Sequence, residues 1–260
     1  MFLSANADAR PKNVILFGQT GVGKSSIVNL LVGRDVANIS SGLKGCTLEA
    51  TEYSFTFPGP MKISIMDTVG LEEPEIGINT FFGAITKAHQ LIKALVRNGG
   101  VDLLVFCIHA GRVTTTTQQN YRLFFDFLCA GKVPVAIVVT NLEHEASMED
   151  WWTRNKTTFD KYDIRSVAHA CITALPASVP AYAHKRAESK KALRMMPIDA
   201  LGNNANGPYV REEESWFGAF VKKVFHWKSP KKELSSRLET ECGLPHDYAD
   251  KLAQMLVSSK

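Results

Sequence analysis

Closely spaced cysteine pairs and long apolar runs are missing from this chain of 260 residues, and we expect no secretory leader. Its five cysteines are odd in number and lack Cys-x-x-Cys spacing, which excludes the usual disulfide frameworks and zinc sites. The longest apolar runs, at residues 101–108 and 133–139, are too short to cross a bilayer, and residues 1–12 have no continuous apolar segment. We therefore expect an intracellular, cytoplasmic protein with no transmembrane segment.

The chain also has only a small excess of positive over negative charge. The net charge of +4 falls wholly on residues 184–260, which hold 14 basic and 10 acidic residues. An excess this mild is typical of a solvated helical surface, and we expect no nucleic-acid partner. The composition, with 45% hydrophobic residues, is that of a globular protein with one large domain.

Residues 13–26, NVILFGQTGVGKSS, join a short apolar strand to a glycine-rich loop and the start of a helix. The pattern G-x-x-x-x-G-K-S predicts a phosphate-binding loop, in which successive backbone N–H groups surround a phosphate. Lys24 then reaches the outer phosphates, and the hydroxyl of Ser25 ligates Mg²⁺. The predicted nucleotide-binding residues here are Gly18, Gln19, Thr20, Gly21, Val22, Gly23, Lys24, Ser25 and Ser26.

A predicted hairpin follows, with strands over residues 49–57 and 62–66 joined by Pro-Gly-Pro. Its second strand ends in Asp67-Thr-Val-Gly70. An aspartate at the carboxyl end of an apolar strand, in the pattern D-x-x-G, is where phosphate-loop nucleotidases hold the magnesium water and sense the terminal phosphate. Asp67 is therefore a predicted metal ligand.

The rest of the chain alternates helices and strands. Helices are predicted over residues 80–97, 118–129 and 148–162, and strands over residues 101–108, 133–139 and 169–172. This alternation predicts an α/β fold with a mostly parallel, doubly wound sheet and one antiparallel edge strand, whose ligand lies at the carboxyl ends of the strands. Four helices, over residues 184–196, 212–227, 232–241 and 246–257, would form a helical C-terminal extension.

The order of these motifs resembles that of the small GTPases. Thr47, in the polar, glycine-rich segment 38–47, resembles the switch threonine that closes on magnesium and the terminal phosphate. The resemblance implies Ser25, Thr47 and Asp67 as Mg²⁺ ligands. It also implies Lys24, Thr47 and Gly70 as the residues that serve catalysis.

The base-binding motif of this resemblance falls at Thr140-Asn141-Leu-Glu143, where GTPases usually carry Asn/Thr-Lys-x-Asp. Glu143 keeps the carboxylate that accepts the N1–H and N2–H of guanine, whereas Asn141 replaces the usual lysine. A backbone contact to the guanine oxygen is expected near Ile172-Thr173. The implied base readers are thus Thr140, Asn141, Glu143, Ile172 and Thr173, and relaxed base selectivity stays open.

Residues 13–175 resemble the septin-like, TRAFAC-class branch of phosphate-loop GTPases, in particular the immune-associated nucleotide-binding family and the chloroplast import-receptor GTPases. The resemblance is carried by the motifs above, by Gly45-Cys-Thr47, and by residues 104–114, LVFCIHAGRVT. Residues 150–152 and 168–173 are also similar to segments of uncharacterised fungal GTPases. The implied domains are a tail over residues 1–12, a G domain over 13–175 and a helical extension over 176–260.

The resemblance implies a slow, Mg²⁺-dependent hydrolysis of GTP to GDP. Leu71 stands where many GTPases carry a water-positioning glutamine. Nucleotide-dependent dimerisation is common in the group, so we expect a switch or scaffold that forms a homodimer through its nucleotide face or is completed by a partner. Weaker candidates to orient water or supply charge are Glu72, Glu73, Lys44 and Arg112.

Two alternatives stay open. The chain could be a nucleotide-binding interaction module with negligible hydrolysis, whose basic amphipathic helices contact a partner or the surface of an anionic membrane. A small-molecule kinase specific for ATP is disfavoured, because Asp67-Thr-Val-Gly70 and the switch threonine have no role there.

Overall fold

The computed structural model describes residues 10–19, 21–32, 52–56, 62–67, 99–122, 124–125, 129, 131–202, 208, 231–242 and 246–257. The chain divides into two compact units, one of residues 1–72 and 101–209, the other of residues 73–100 and 210–260. The predicted helices over residues 80–97 and 212–227 lie outside the described residues. The predicted domain boundary after residue 175 stays a prediction.

The first unit is built on a twisted sheet of short strands, most of them buried on both faces. β-Branched and aromatic side chains occur in most of them, which suits an extended backbone packed between helices. The strands are β1 (Lys12–Phe17), β2 (Glu52–Thr56), β3 (Lys62–Asp67), β4 (Leu103–His109), β5 (Val135–Thr140) and β6 (Ala168–Cys171).

The strand order is β2-β3-β1-β4-β5-β6. The five strands from β3 to β6 pair in parallel, and β2 pairs with β3 in the antiparallel sense at the edge. Because the order reverses at β1, the connections leave in opposite directions beside its carboxyl end, which is where ligands bind in open α/β sheets. The register of β1 with β3 pairs Leu16 with Asp67, so both strands end at that crevice.

Four helices are described in this unit, three between strands and one after β6. They are α1 (Lys24–Val32), α2 (Thr115–Arg122), α3 (Met148–Lys161) and α4 (Ala183–Gly202), with a short 3₁₀ turn over Pro180–Tyr182 before α4. The helix predicted over residues 118–129 begins three residues earlier, so that prediction was wrong at its start. The reason is a reciprocal cap in which Thr114 and Thr117 exchange backbone-to-hydroxyl hydrogen bonds of 3.3 and 3.2 Å.

The hydrophobic core lies between α1, α4 and the sheet. Apolar side chains of β1, β4 and β5 meet α1 there, and α4 adds Leu193, Met196 and Ala200 to the same cluster. On the sheet, Phe17 stacks on Phe106 and Phe124, with ring centroids 4.8 and 4.3 Å apart. The helix that opens the predicted extension is therefore packed into the same core as α1 and the sheet.

The described part of the second unit comprises Gly99, Gly100 and two helices, α5 (Lys231–Cys242) and α6 (His246–Val257). The two helices contact each other, Leu234, Ala249 and Ala253 are buried, and Lys231 forms a 2.9 Å ion pair with Asp250. Among the described residues, no helix is both long enough and apolar enough to span a bilayer.

Candidate functional site

The glycine-rich loop between β1 and α1 has a backbone shape that other residues would not adopt. Gly18 has φ +142°, and a Cβ on it would lie 2.0 Å from the carbonyl oxygen of Cys107 in β4. Gly23 has φ +93°, again in the left-handed region. The loop is therefore pressed against the neighbouring strand, with its backbone fixed before α1 begins at Lys24.

Lys24 is buried, and its ammonium lies over this loop. Its Nζ donates hydrogen bonds to the carbonyl oxygens of Gly18 at 2.6 Å and Gln19 at 3.2 Å. Although its side chain is charged, Lys24 is only 7% exposed to solvent. A cation held at a helix N-terminus beside a glycine-rich loop is a strong site for phosphate.

Ser25 and Ser26 follow in the first turn of α1, and both are half-buried. Asp67 ends β3, and its backbone pairs with Leu16 one residue before the end of β1. Ser25 and Asp67 thus belong to the same edge of the sheet. A hydroxyl and a carboxylate are the hard oxygen donors that Mg²⁺ prefers, so the residue types there fit this ion.

Thr140 joins the predicted base-binding motif to the predicted phosphate loop. Its Oγ1 lies 2.9 Å from the carbonyl oxygen of Val22 and 3.2 Å from that of Ile108, and its single hydroxyl proton is shared between these two acceptors, with Val22 the nearer. Its methyl group would lie 3.7 Å from a Cβ on Gly23. The end of β5 is therefore anchored directly to the loop that the sequence predicts to bind phosphate.

Glu143 and Thr173, predicted in separate base-binding segments, are brought together. Glu143 is buried, and its carboxylate Oε2 accepts a 3.1 Å hydrogen bond from the hydroxyl of Thr173. The backbone N–H of Leu142 also donates to the carbonyl oxygen of Ile172 at 3.3 Å. Asn141, in contrast, is exposed and has φ +69°, a conformation that asparagine tolerates.

Several predicted residues fall outside the described part of the chain. These are Thr20, Thr47 and Gly70, together with Lys44, Leu71, Glu72 and Glu73. Arg112 is described and exposed. Within the described ranges no cluster of three or more His, Cys, Asp or Glu side chains could hold a metal.

Sequence analysis missed two features of this edge. A cavity of about 100 Å³ adjoins the phosphate loop, lined by Gln19, Val22 and residues of β4 and of the loop that follows it, among them Cys107, His109 and Arg112. The second is a group of α4 side chains that bind the two loops predicted to contact the base. Neither has a signature in the sequence, because each forms between segments far apart along the chain.

A family model and several known proteins are similar to this chain. The family model described as 50S ribosome-binding GTPase matches residues 13–141. Immune-associated nucleotide-binding protein 3 of Arabidopsis thaliana is 23% identical over 94% of this chain and 74% of its own length. The chain spans 52% of a second such protein from the same plant, immune-associated nucleotide-binding protein 7, at 24% identity over 62% of this chain.

Solved structures agree in fold. Toc33 from Arabidopsis thaliana in complex with GDP and Mg²⁺ has a TM-score of 0.52 and 19% identity, covering 78% of this chain and 89% of that one. A structure of the chloroplast translocon components atToc33 and psToc159, whose dimerisation is described as important for GTPase activity, has a TM-score of 0.55 and 19% identity. It covers 79% of this chain and 88% of that one.

Proposed function

We propose that this chain, a GTP-binding G-domain protein of the TRAFAC type, is a slow, Mg²⁺-dependent GTPase acting as a switch or scaffold. It is related to the immune-associated nucleotide-binding proteins and the Toc GTPases, which form a septin-like group. Its substrate in this proposal is GTP and its product GDP. Its proposed place of action is the cytoplasm.

One observation carries the proposal: the segments that hold the Lys24 cation and the Glu143 carboxylate are joined by a hydrogen bond at the end of β5. Lys24 begins α1 directly after the phosphate loop, Glu143 lies in the loop after β5, and Thr140, the last residue of β5, donates to the carbonyl oxygen of Val22 in the phosphate loop. A buried carboxylate can accept hydrogen bonds from the N1–H and N2–H of guanine but repels the acceptor N1 of adenine. One site thus offers a positive end for phosphate and a negative end for guanine.

The roles of individual residues follow from this arrangement. Lys24 and the backbone N–H groups of residues 18–26 would bind the phosphates, and Ser25, Thr47 and Asp67 would hold Mg²⁺, whose charge neutralises the phosphate oxygens. Asn141, Glu143, Ile172 and Thr173 would bind the base. Lys24, Thr47 and Gly70 would stabilise the transferring phosphoryl group.

We further propose that a second copy of the chain, bound through the nucleotide face, raises the rate of hydrolysis. Leu71 supplies no hydrogen bond to orient water, so the single chain lacks a group that many GTPases use. The importance of dimerisation described for atToc33 and psToc159 supports this step. The same absence also favours the alternative function, a nucleotide-binding interaction module with negligible hydrolysis and relaxed base selectivity.

The test is a titration of the full chain with Mg²⁺ complexes of GTP, GDP and ATP, in which affinity and molecular mass are followed together. Selective guanine binding with a shift to dimer on GTP, and single-turnover hydrolysis that rises with protein concentration, are the expected results. Equal binding of ATP with constant mass would overturn the switch and leave the interaction module. Peripheral membrane contact is checked by co-sedimentation of the full chain with anionic and neutral vesicles.

A further inference from the structure

The first two turns of α4 bind both loops that the proposed function assigns to the base. Lys185 and Ser189 stand one helical turn apart, so that their side chains lie on the same face of the helix. The two loops are residues 141–147 after β5 and residues 172–176 after β6. We call the side chains of Lys185, Arg186 and Ser189 the α4 clasp.

The side chain of Lys185 binds the backbone of the first loop. Its half-buried ammonium donates to the carbonyl oxygen of Glu143 at 2.7 Å and also to that of Glu145. Two carbonyls two residues apart point at one cation only if the chain between them curves around it. Charge-assisted bonds of this kind are about twice as strong as neutral ones, so they fix the course of the loop at the residue that carries the carboxylate.

Ser189 and Arg186 hold the second loop. The backbone N–H of Thr173 donates to Ser189 Oγ at 3.0 Å, and the Arg186 Nε–H donates to the carbonyl oxygen of Leu175 at 3.2 Å. The hydroxyl of Ser189 in turn donates to the carbonyl oxygen of Lys185 at 2.7 Å. Ser189 is fully buried, and its hydroxyl is the donor to Lys185 and the acceptor from Thr173, with the Met148 sulfur a longer contact at 3.7 Å.

The hydrogen bonds made by Lys185 and by Ser189 both act on Glu143. Its backbone is bound by Lys185, and its Oε2 accepts the hydroxyl of Thr173, whose backbone is bound by Ser189. Among the described residues, Thr173 supplies the hydrogen bond to Oε2, and no described group donates to Oε1. The clasp therefore fixes where the second oxygen of the carboxylate points.

This arrangement matters here because the loop has no lysine of its own. Asn141 occupies the position where the resemblance places one, and it is exposed. The family model ends at residue 141, so the clasp lies in a part of the chain to which it assigns no role. The rigidity that discrimination between bases requires must come from residues outside the loop.

We propose that Lys185 and Ser189 are positioning residues that set guanine selectivity by fixing the carboxylate of Glu143. The inference rests on the proposed function, since it concerns the base-binding end of the same site. The inference distinguishes effects on base binding from effects on phosphate binding. The clasp is bonded to the base-binding loops, whereas Lys24 is bonded to the phosphate loop. Loss of the clasp must therefore weaken binding of GDP and leave binding of ADP unchanged.

The experiment compares the full chain with the variants Lys185→Met, Lys185→Arg and Ser189→Ala by titration calorimetry in Mg²⁺. The probes are GDP, ADP and IDP, which lacks the 2-amino group of guanine. Lys191→Met is the matched control, because Lys191 is an exposed lysine on the same helix. Thermal unfolding of each variant is recorded by circular dichroism.

The expected result is a fall of about tenfold in GDP affinity for Lys185→Met and Ser189→Ala, the loss of roughly one well-made hydrogen bond, with ADP affinity constant. The ratio of GDP to IDP affinity falls in the same two variants. Lys185→Arg restores most of the GDP affinity, and Lys191→Met binds each nucleotide as the unchanged chain does. If Lys185→Met does not fold, Ser189→Ala, which removes one hydroxyl, decides by the same criterion.

Two different failures are distinguishable. If the unchanged chain binds GDP and ADP equally, the proposed function is wrong before any variant is considered. If the unchanged chain prefers GDP and the folded variants keep the same ratio of GDP to ADP affinity, or lose both affinities equally, the clasp is structural and the inference is overturned.

Discussion

The hydroxyl of Thr173 donates a 3.1 Å hydrogen bond to the carboxylate of Glu143, although 30 residues separate them along the chain. Each residue belongs to a loop at the carboxyl end of a neighbouring strand, β5 or β6. Their contact turns two separate loops into one wall of the candidate nucleotide site. It also predicts that a change at either residue affects the choice of base rather than the binding of phosphate.

Replacing Thr173 with valine removes this hydrogen bond and keeps the shape of the side chain. Because the carboxylate then loses the donor that orients it, we expect GDP affinity to fall about fivefold while ADP affinity stays constant. Calorimetric titration measures both, and Thr157→Val, at an exposed position of α3, is the control. An unchanged ratio of the two affinities would show that Thr173 does not orient Glu143.

Replacing Lys24 with alanine should abolish nucleotide binding. The change removes the cation that lies over the phosphate loop, and with it the charge-assisted bonds to phosphate, so we expect a loss of about 100-fold or more for GDP and ADP alike. Fluorescence titration with a labelled GDP analogue measures this, with Lys156→Ala on the exposed face of α3 as the control. Retained tight binding in Lys24→Ala would contradict the phosphate-loop assignment.

Replacing Leu71 with glutamine should raise the single-turnover rate of GTP hydrolysis without changing GDP affinity. A glutamine directly after the D-x-x-G motif can hydrogen-bond the attacking water, which leucine cannot. Quenched-flow measurement of phosphate release under single-turnover conditions gives the rate, and Leu71→Met controls for volume. The same rate in both variants would place the water-orienting group elsewhere.

Replacing Asp102 with asparagine should destabilise the first unit at the start of β1. The buried Asp102 carboxylate accepts hydrogen bonds from Arg10 at 2.9 and 2.8 Å and from the backbone N–H of Asn13 at 2.8 Å. We expect the free energy of unfolding to fall by about 1–3 kcal/mol, since bonds to a charged group are lost and Arg10 is only part-buried. Urea unfolding measures it.

The control for that change is Asp163→Asn, which removes an exposed carboxylate paired with Arg165 at 3.1 Å. Exposed pairs contribute less than about 1 kcal/mol, so this variant should unfold almost as the unchanged chain does. Equal destabilisation by the two variants would mean that burial of Asp102 does not set the strength of its interactions.

The thiol of Cys171 on β6 should resist alkylation in the folded chain. Burial, with a smaller contribution from the charge of Glu149, raises the pKa of Cys171 to about 12. The reactive thiolate is therefore scarce at about pH 8, and peptide mapping after iodoacetamide should find Cys171 unmodified until urea is added. Rapid labelling of the folded chain would contradict its burial.

The raised pKa of Cys171 also predicts how the free energy of unfolding changes with pH. The unfolded thiol loses its proton near its ordinary pKa of 9.0 while the folded thiol keeps it to about 12. The unfolded state thus binds fewer protons between these values, and the free energy of unfolding falls as pH rises through that window. A Cys171→Ala variant should show a shallower fall over the same range.

Local patterns in the sequence were enough to predict most elements of secondary structure. The apolar strand before Gly18, the glycine spacing and the following apolar helix predicted β1, the loop and α1, because backbone conformation and amphipathic period are properties of neighbouring residues. The helix predicted over residues 246–257 has those bounds in the structure. The helix predicted from residue 118 failed at its start, since a cap made by two threonine hydroxyls counted for more than apolar spacing.

The sequence by itself determined that this chain has a phosphate loop, strands that alternate with helices, and candidate base-binding residues at two strand ends. Only the tertiary structure decided which of those residues meet. Lys185 reaches the carbonyl of Glu143 across 42 positions, and Thr140 reaches that of Val22 across 118. Such contacts depend on strand order and on how α4 packs against the sheet, and no periodicity or motif encodes them along the chain.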